Sequence, residues 1–518
     1  MNTNFYVIVM IRKKGFDTSR YLSAQIKRIM ERVNKFDKLY LEFGGKLRYD
    51  HHAARVLPGF ALDTKVQMLK ELGDDVEIIH CISAKAIEGR KIRRDFGLTY
   101  DEQILKDIND LKQIGLDVTA VVISRYNGEH TSDKFKQRLE NRGIRVFTTH
   151  EIPNYLTDVD KVVSDEGFGK FDYVETSKKI IIVTAPGPGS GKMSFAMSQI
   201  YHDRKKGITS NFAKFETFPI WNLPVNHPVN IAYEAATADL GDYNCIDSHH
   251  KEAYGVEVTN YNRDVENFTI IKKIIEKITP VGDPLADIKS PTDMGVNMAK
   301  EGIVDDSIVQ QASIDEIVRR YYQYQRDFVE GNVTHDTLDR MDKIMQLVNA
   351  KPEHRVVAIR ANEALEESLK ISHTIPREMH TGAAIEIQPE DSAPLIVTGK
   401  RSRILNSESA AFLNAVKCLA GIPDEIDVLS PIIIESIMNL KGKLSVVDTS
   451  LNVKEVLDAL AVSAVFNPNA AKCIDVLTDL EGCEMHSTHL TDRGCEIALK
   501  ELGLNLTTDA RIPNINNW

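Results

Sequence analysis

The chain is poor in cysteine and has no cysteine pair at metal-ligand or redox spacing. Its six cysteines, Cys81, Cys245, Cys418, Cys473, Cys483 and Cys495, are scattered over 518 residues without a CxxC pair. That excludes a disulfide-stapled scaffold and fits the reduced thiols of a cytoplasmic protein. Positive charge is also short, with 64 Lys and Arg against 75 Asp and Glu, a formal net charge of −11. A general nucleic-acid binder is thereby excluded, and only a local basic cleft stays open. No apolar run is long enough to cross a bilayer. The nearest, Phe5–Met10, is too short. It has no positive charge before it and Arg12, Lys13 and Lys14 after it, the reverse of a secretory signal, so a short edge strand or leader is expected. Neither membrane nor nucleic acid is an expected partner, whereas a homo-oligomer stays open. There is no internal repeat and no low-complexity tract.

What is present is an ordinary globular composition, 42% hydrophobic and 27% charged, in a chain too long for one core. Strand-like runs recur at Leu39–Phe43, Val76–Ile82, Val118–Ile123, Ile144–Phe147 and Ile180–Val183, separated by amphipathic helical patterns. The clearest helix carries Ile104, Leu105, Ile108, Leu111 and Ile114. Alternation of this kind predicts an α/β fold with a mostly parallel, Rossmann-like sheet buried on both faces. Three regions are expected: an α/β domain over 15–227, a mainly helical region over 228–350 and a smaller α/β unit over 351–518. In the middle region Ser313-Ile-Asp-Glu316 reads as a capping box that opens a helix. In the last unit Val356–Ile359 and Leu395–Val397 read as strands.

The stretch richest in chemistry is Lys179-Ile-Ile-Ile-Val-Thr-Ala-Pro-Gly-Pro-Gly-Ser-Gly-Lys192. A β-branched run ends in a Gly/Pro turn, a lysine follows, and a helical pattern begins. Amides of such a turn converge on a phosphate, and the lysine adds charge. The expected cradle is Gly187, Gly189, Ser190, Gly191 and Lys192. Two positions depart from the usual P-loop pattern: Pro186 stands at the first glycine, and Met193 stands where a magnesium-binding hydroxyl is expected. The core resembles the loop of adenylate-kinase-like enzymes, in which the hydroxyl comes one residue later, here Ser194. Four strand-like runs precede this loop, so either the first 150 residues form a separate domain or the strand order is rewired. Ligands of a parallel sheet bind beyond its strand ends. Gly44, Gly45 and Lys46 after the first strand and Arg125 after the third therefore join the candidate site.

A second cluster, Asp239, Asp242, Asp247, His249, His250 and Glu252, follows an apolar helix within 60 residues of the loop. Asp239, Asp247 and His250 are candidate catalytic bases, and Asp242 with Ser194 a candidate magnesium pair. Cys483, His486 and His489 carry a weaker zinc pattern, outweighed by an interior thiol with polar histidines.

Long segments, among them Leu39-Tyr-Leu-Glu-Phe-Gly-Gly-Lys-Leu47, Lys214-Phe-Glu-Thr-Phe-Pro-Ile-Trp-Asn-Leu-Pro224 and Gly482-Cys-Glu-Met-His-Ser-Thr488, resemble an uncharacterised bacterial family of about 500 residues, a domain of unknown function. The resemblance starts near Gly15 and covers nearly the whole chain. It implies a multidomain α/β architecture with a P-loop-like segment, and of the paired histidines it matches His250 and His486. The leading expectation is a cytoplasmic protein that binds a small phosphorylated molecule, with ATP or another nucleotide and magnesium as cofactors for phosphoryl or nucleotidyl transfer to a small polar molecule. A non-catalytic phosphometabolite sensor or scaffold, and a metal-dependent hydrolase, are the alternatives.

Overall fold

A computed structural model describes residues 14–44, 47, 50–93, 97–155, 157–371, 376–387, 395–444 and 448–512. Phe5–Met10, Gly45 and Lys46 lie outside the described residues. The chain folds as two compact units, Lys14–Ser313 and Ile314 onward.

The first unit is built on seven strands: β1 (Lys38–Phe43), β2 (Val76–Ser83), β3 (Val118–Ser124), β4 (Arg145–Thr148), β5 (Ile180–Thr184), β6 (Ser210–Phe215) and β7 (Gly295–Val296). All pair in parallel, in the order β7-β6-β1-β5-β2-β3-β4. The five runs legible in the sequence thus share one sheet. β5, which carries the glycine-rich loop, slots between β1 and β2, so the order is rewired and the first 150 residues are not a separate domain. Every residue of β5 is buried, as a strand covered on both faces requires.

Helices α1 (Tyr100–Gln113) and α2 (His130–Glu140) cover one face, over Ile82, Val121 and Ile123. Helices α3 (Lys192–Lys205) and α4 (Asn262–Ile278) cover the other, over Tyr40, Ile79, Val122, Ile181, Val183 and Phe212. The chain leaves β2 toward β3 on one side and β5 toward β6 on the other. Neighbouring strands therefore diverge at their carboxyl ends, where a crevice opens in sheets of this type. Residues 228–313 are helical in part, but they also supply β7 and the antiparallel ribbon of Asn244–Ile246 with Thr259–Tyr261.

The second unit has a four-stranded sheet of β8 (Gly382–Ile387), β9 (Leu395–Lys400), β10 (Glu484–Ser487) and β11 (Asn505–Thr508), in the order β9-β8-β10-β11. Only the β10–β11 pair is parallel. Helix α5 (Val356–Ile371) packs on one face and α6 (Ser407–Leu419) on the other. Two expectations are corrected here. Val356–Ile359 opens α5 and is not a strand: Val357, Ala358, Ala361 and Ala364 are all buried, a helical spacing that overrides the β-branched start. Ser313–Glu316 is not a cap but lies inside the helix Asp306–Val329, with Ser313 Oγ donating to Val309 O at 2.7 Å.

Candidate functional site

The turn from β5 into α3 is held from below. Gly191 is the N-cap of α3 at φ 84°, and Gly189 sits at φ 74°, a left-handed backbone that glycine adopts without steric cost. Close approach also requires glycine: a Cβ on Gly191 would lie 2.7 Å from the Ser124 side chain, and one on Gly187 would lie 2.2 Å from Tyr100 Oη. Ser190 Oγ donates to Gly187 O at 2.6 Å, and Ser124 Oγ donates to Ser190 O at 2.9 Å. The Arg125 guanidinium donates to Gly189 O. The loop carbonyls are thus turned into the protein. Among the described residues no protein acceptor faces the amides of Gly189, Ser190, Gly191, Lys192 or Met193. Met193 packs its side chain against the core under α3, and Ser194 follows it in the first turn of that helix.

Lys192, the first residue of α3, reaches Glu42 at the end of β1, Nζ to Oε1 3.5 Å. Glu42 is 7% exposed, and its other oxygen, Oε2, is buried with no hydrogen-bond partner among the described residues. An unmatched polar atom of this kind costs about 1–3 kcal/mol. Glu42 stands in register with Lys214 of β6, and the pair continues the face that Tyr40 and Phe212 bury two residues earlier. Two-residue periodicity therefore carries the buried aromatic face of both strands into charge at their carboxyl ends. Lys214 Nζ lies 2.9 Å from Glu216 Oε1 and forms a second ion pair with Asp264 in the first turn of α4. Burial, with Asp264 and Glu42 nearby, pushes the Glu216 carboxyl up to about 7 against the opposing pull of Lys214. Beside this cluster, Tyr261 places its ring 5.8 Å from Lys214 Nζ and bonds the Tyr233 hydroxyl. Behind β1, the buried Lys65 donates to Gly44 O at 3.1 Å and pairs with Asp50 at 3.0 Å, fixing the backbone that follows Phe43.

Of the residues singled out in the sequence, Gly187, Gly189, Ser190, Gly191, Lys192 and Arg125 meet in this loop, while Gly44, at the end of the neighbouring strand β1, turns its amide toward Phe215 O of β6 at 3.4 Å. The acidic segment is spent on local structure. Asp247 caps the helix Ser248–Tyr254 through the His250 amide at 3.0 Å, and its second oxygen accepts from Thr292 Oγ1 at 2.6 Å. His250 Nδ1 bonds Ser290 Oγ at 2.9 Å, with Asp293 3.8 Å away. Asp242 is clasped by Arg263, Nε to Oδ1 2.6 Å, and Asp239 is exposed on a short turn. The charged residue that does face Lys192 is Glu42, and its register partner Lys214 gathers Glu216 and Asp264 at the end of β6. The signal for them was a charged residue at the end of a buried parallel strand. Reading Ser210–Phe215 as a strand would have exposed it.

In the second unit, His486 sits between Thr507 Oγ1 at 2.8 Å and Asp509 at 3.2 Å, while His489 turns to Ser487 Oγ at 3.0 Å. Cys483 donates to Asp479 O at 3.5 Å. The three side chains serve separate partners, and among the described residues no group of three or more His, Cys, Asp or Glu could hold a metal ion. Nor is any described helix long and apolar enough to cross a membrane.

Comparison with known proteins places these features in a family. Residues 14–349 match the model described as domain of unknown function DUF1846, N-terminal, and residues 353–517 match its C-terminal counterpart. A UPF0371 protein of Clostridioides difficile is 47% identical over 508 residues, covering 97% of this chain and 99% of that protein. One from Clostridium tetani is 47% identical over 504 residues, covering 97% and 98%. One from Clostridium botulinum strain Kyoto is 48% identical over 499 residues, covering 96% and 97%. The chain belongs to the DUF1846 family of bacterial proteins of about 500 residues.

Proposed function

We propose that the chain binds a nucleotide or another small phosphorylated molecule at the loop Thr184–Lys192 and transfers a phosphoryl or nucleotidyl group from it to a small polar acceptor. The observation that carries this reading is the run of five amides, Gly189–Met193, with no described protein acceptor, beside a lysine whose partner is a single buried carboxylate. Amides at a helix start favour an anion through the helix dipole and their unmatched hydrogens. The phosphates would rest on those amides and on Lys192. Magnesium accompanying a nucleotide would neutralise phosphate charge. Of the two expected ligands, Asp242 is already clasped by Arg263, which leaves Ser194, in the first turn of α3, as the group to meet the ion.

Calorimetric titration with ATP, GTP and glucose 6-phosphate tests the reading. Binding of one of them, weakened by at least about tenfold in Lys192→Ala, is the expected result for loss of a charge-assisted contact. If all three fail to bind, or if Lys192→Ala binds as wild type does, the reading falls. One observation favours a sensor over a transferase: Met193 occupies the hydroxyl position and packs into the core. A sensor would show ligand-induced thermal stabilisation with no turnover.

A further inference from the structure

We propose that the carboxyl ends of β1 and β6 form the acceptor half of the loop site, where a neutral, hydroxyl-bearing small molecule is held with its nucleophilic oxygen against Glu216. The proposal rests on the phosphate-binding reading of the loop and extends it from donor to acceptor.

Three observations lead there. First, Glu42 joins the two halves. One of its oxygens is 3.5 Å from Lys192 Nζ, while the other is buried and unmatched. A buried acceptor left open beside the loop calls for a donor from outside the protein, and a hydroxyl supplies one. Second, the charge balance selects against an anionic acceptor. On the β6 side Lys214 faces both Glu216 and Asp264, so two carboxylates against one ammonium group leave one net negative charge there when all are ionised. Third, Tyr233 and Tyr261 are neither buried nor exposed outright and flank Lys214. Their rings meet edge to face at 80° and offer an apolar, partly wet corner of the kind that suits a sugar ring or a nucleoside.

Glu216 is suited to take the proton. It belongs to the segment that leaves β6, its backbone amide is anchored to Val296 O at 3.1 Å, and Lys214 holds one carboxylate oxygen. Burial brings its proton affinity close to neutrality, where a base can both accept and return a proton. In the step, the acceptor oxygen attacks the terminal phosphorus of the donor and an O–P bond forms. The bond from that phosphorus to the bridging oxygen breaks, and its electron pair leaves with the nucleoside diphosphate. The acceptor's proton moves to Glu216, which becomes the neutral acid and later releases it to solvent.

The test uses the full chain with MgATP or MgGTP, alone and with glucose, N-acetylglucosamine or adenosine, and follows diphosphate formation alongside nucleotide affinity. At least one of the three probes is expected to raise turnover about tenfold or more over water. Glu216→Gln is expected to lower that turnover about a hundredfold, the usual size of a lost general base, while nucleotide Kd shifts by less than threefold. Glu216→Asp, which keeps the carboxyl, should recover part of the rate and guards against a folding defect in the first variant. Turnover in Glu216→Gln within twofold of wild type overturns the proposal. So does a protein that binds nucleotide, loses that binding in Lys192→Ala, and yet turns over with none of the probes or water. Failure of the wild type to bind nucleotide is a different result: it removes the loop reading, and the acceptor half falls with it.

Discussion

Each unit of this protein buries a knot of charge, and the two knots are built differently. In the second unit Glu484 has both oxygens saturated. Oε2 accepts from Arg319 Nε at 3.0 Å and Arg355 at 2.6 Å, and Oε1 accepts from Asn505 at 3.0 Å and Arg319 at 3.2 Å. Arg355 spends its remaining donors on Thr507, Met485 O and Asn505 O. Burial alone would raise the Glu484 carboxyl, but the two guanidinium groups outweigh it and hold the group at about 2. In the first unit Glu42 keeps an unmatched oxygen and Glu216 is pushed up, not down. A saturated network ties strands together. An unsaturated one at a sheet's carboxyl edge retains capacity for a ligand.

The largest effect should come from breaking the saturated knot. Arg355→Ala leaves Glu484 short of a buried partner and is expected to cost about 3–5 kcal/mol, read as a lower urea midpoint. A loss near zero would show that the two knots do not differ in kind.

The pH dependence should separate them next. Glu484 is depressed from 4.5 to about 2, so the stability it contributes is full above about 4.5 and drains away as pH falls toward 2. Glu216 is raised from 4.5 to about 7, so the native state prefers it protonated, and stability declines as pH rises from about 4.5 to 7. Melting curves across pH should therefore flatten in the acid window for Glu484→Gln and in the near-neutral window for Glu216→Gln. Flattening in the same window for both variants would contradict the assignment.

Glu42→Gln should change stability by only about 1 kcal/mol in either direction, since it removes a charge whose second oxygen has no partner. Its effect belongs in anion affinity, which should rise for magnesium-free ATP as repulsion beside Lys192 is lifted. An equal fall for ATP with and without magnesium would count against an open carboxylate. The smallest effect is expected from Arg125→Ala, which frees the Gly189 carbonyl at the surface. Stability should stay within about 0.5 kcal/mol while ATP affinity drops a few-fold, visible by calorimetry.

Much of this architecture could be read in advance, and the misses have physical causes. The β-branched core of β5, Ile180–Val183, is buried on both faces, so its sequence is almost purely apolar and plain to see. The strand Ser210–Phe215 mixes polar, small and aromatic residues without a clean period and runs into a proline-bearing segment, so nothing in it marks a strand until its neighbour β1 is known. Val356–Ile359 shows the opposite error, where local β propensity yields to a helical face packed on β8. In the candidate site, glycine and lysine announced the loop because turn geometry demands them locally. Asp247 and His250 attracted attention as a dense acidic segment, but density along the chain says nothing about partners. Thr292 and Ser290, more than 35 positions later, are what occupy them.

The glycine-rich turn that opens α3 is therefore the sequence's own contribution: the left-handed φ of Gly189 and Gly191 and the lysine after them are local properties, written in consecutive residues. The company that turn keeps was settled only by tertiary structure. β5 enters the sheet between β1 and β2, although more than 90 residues separate it from either strand, and this placement sets Glu42 against Lys192. β6 then pairs with β1 in register and delivers Lys214 and Glu216 to the same edge. Hydrogen-bond pairing between strands distant in the chain brought these charges together, and nothing in the spacing along the sequence encodes it.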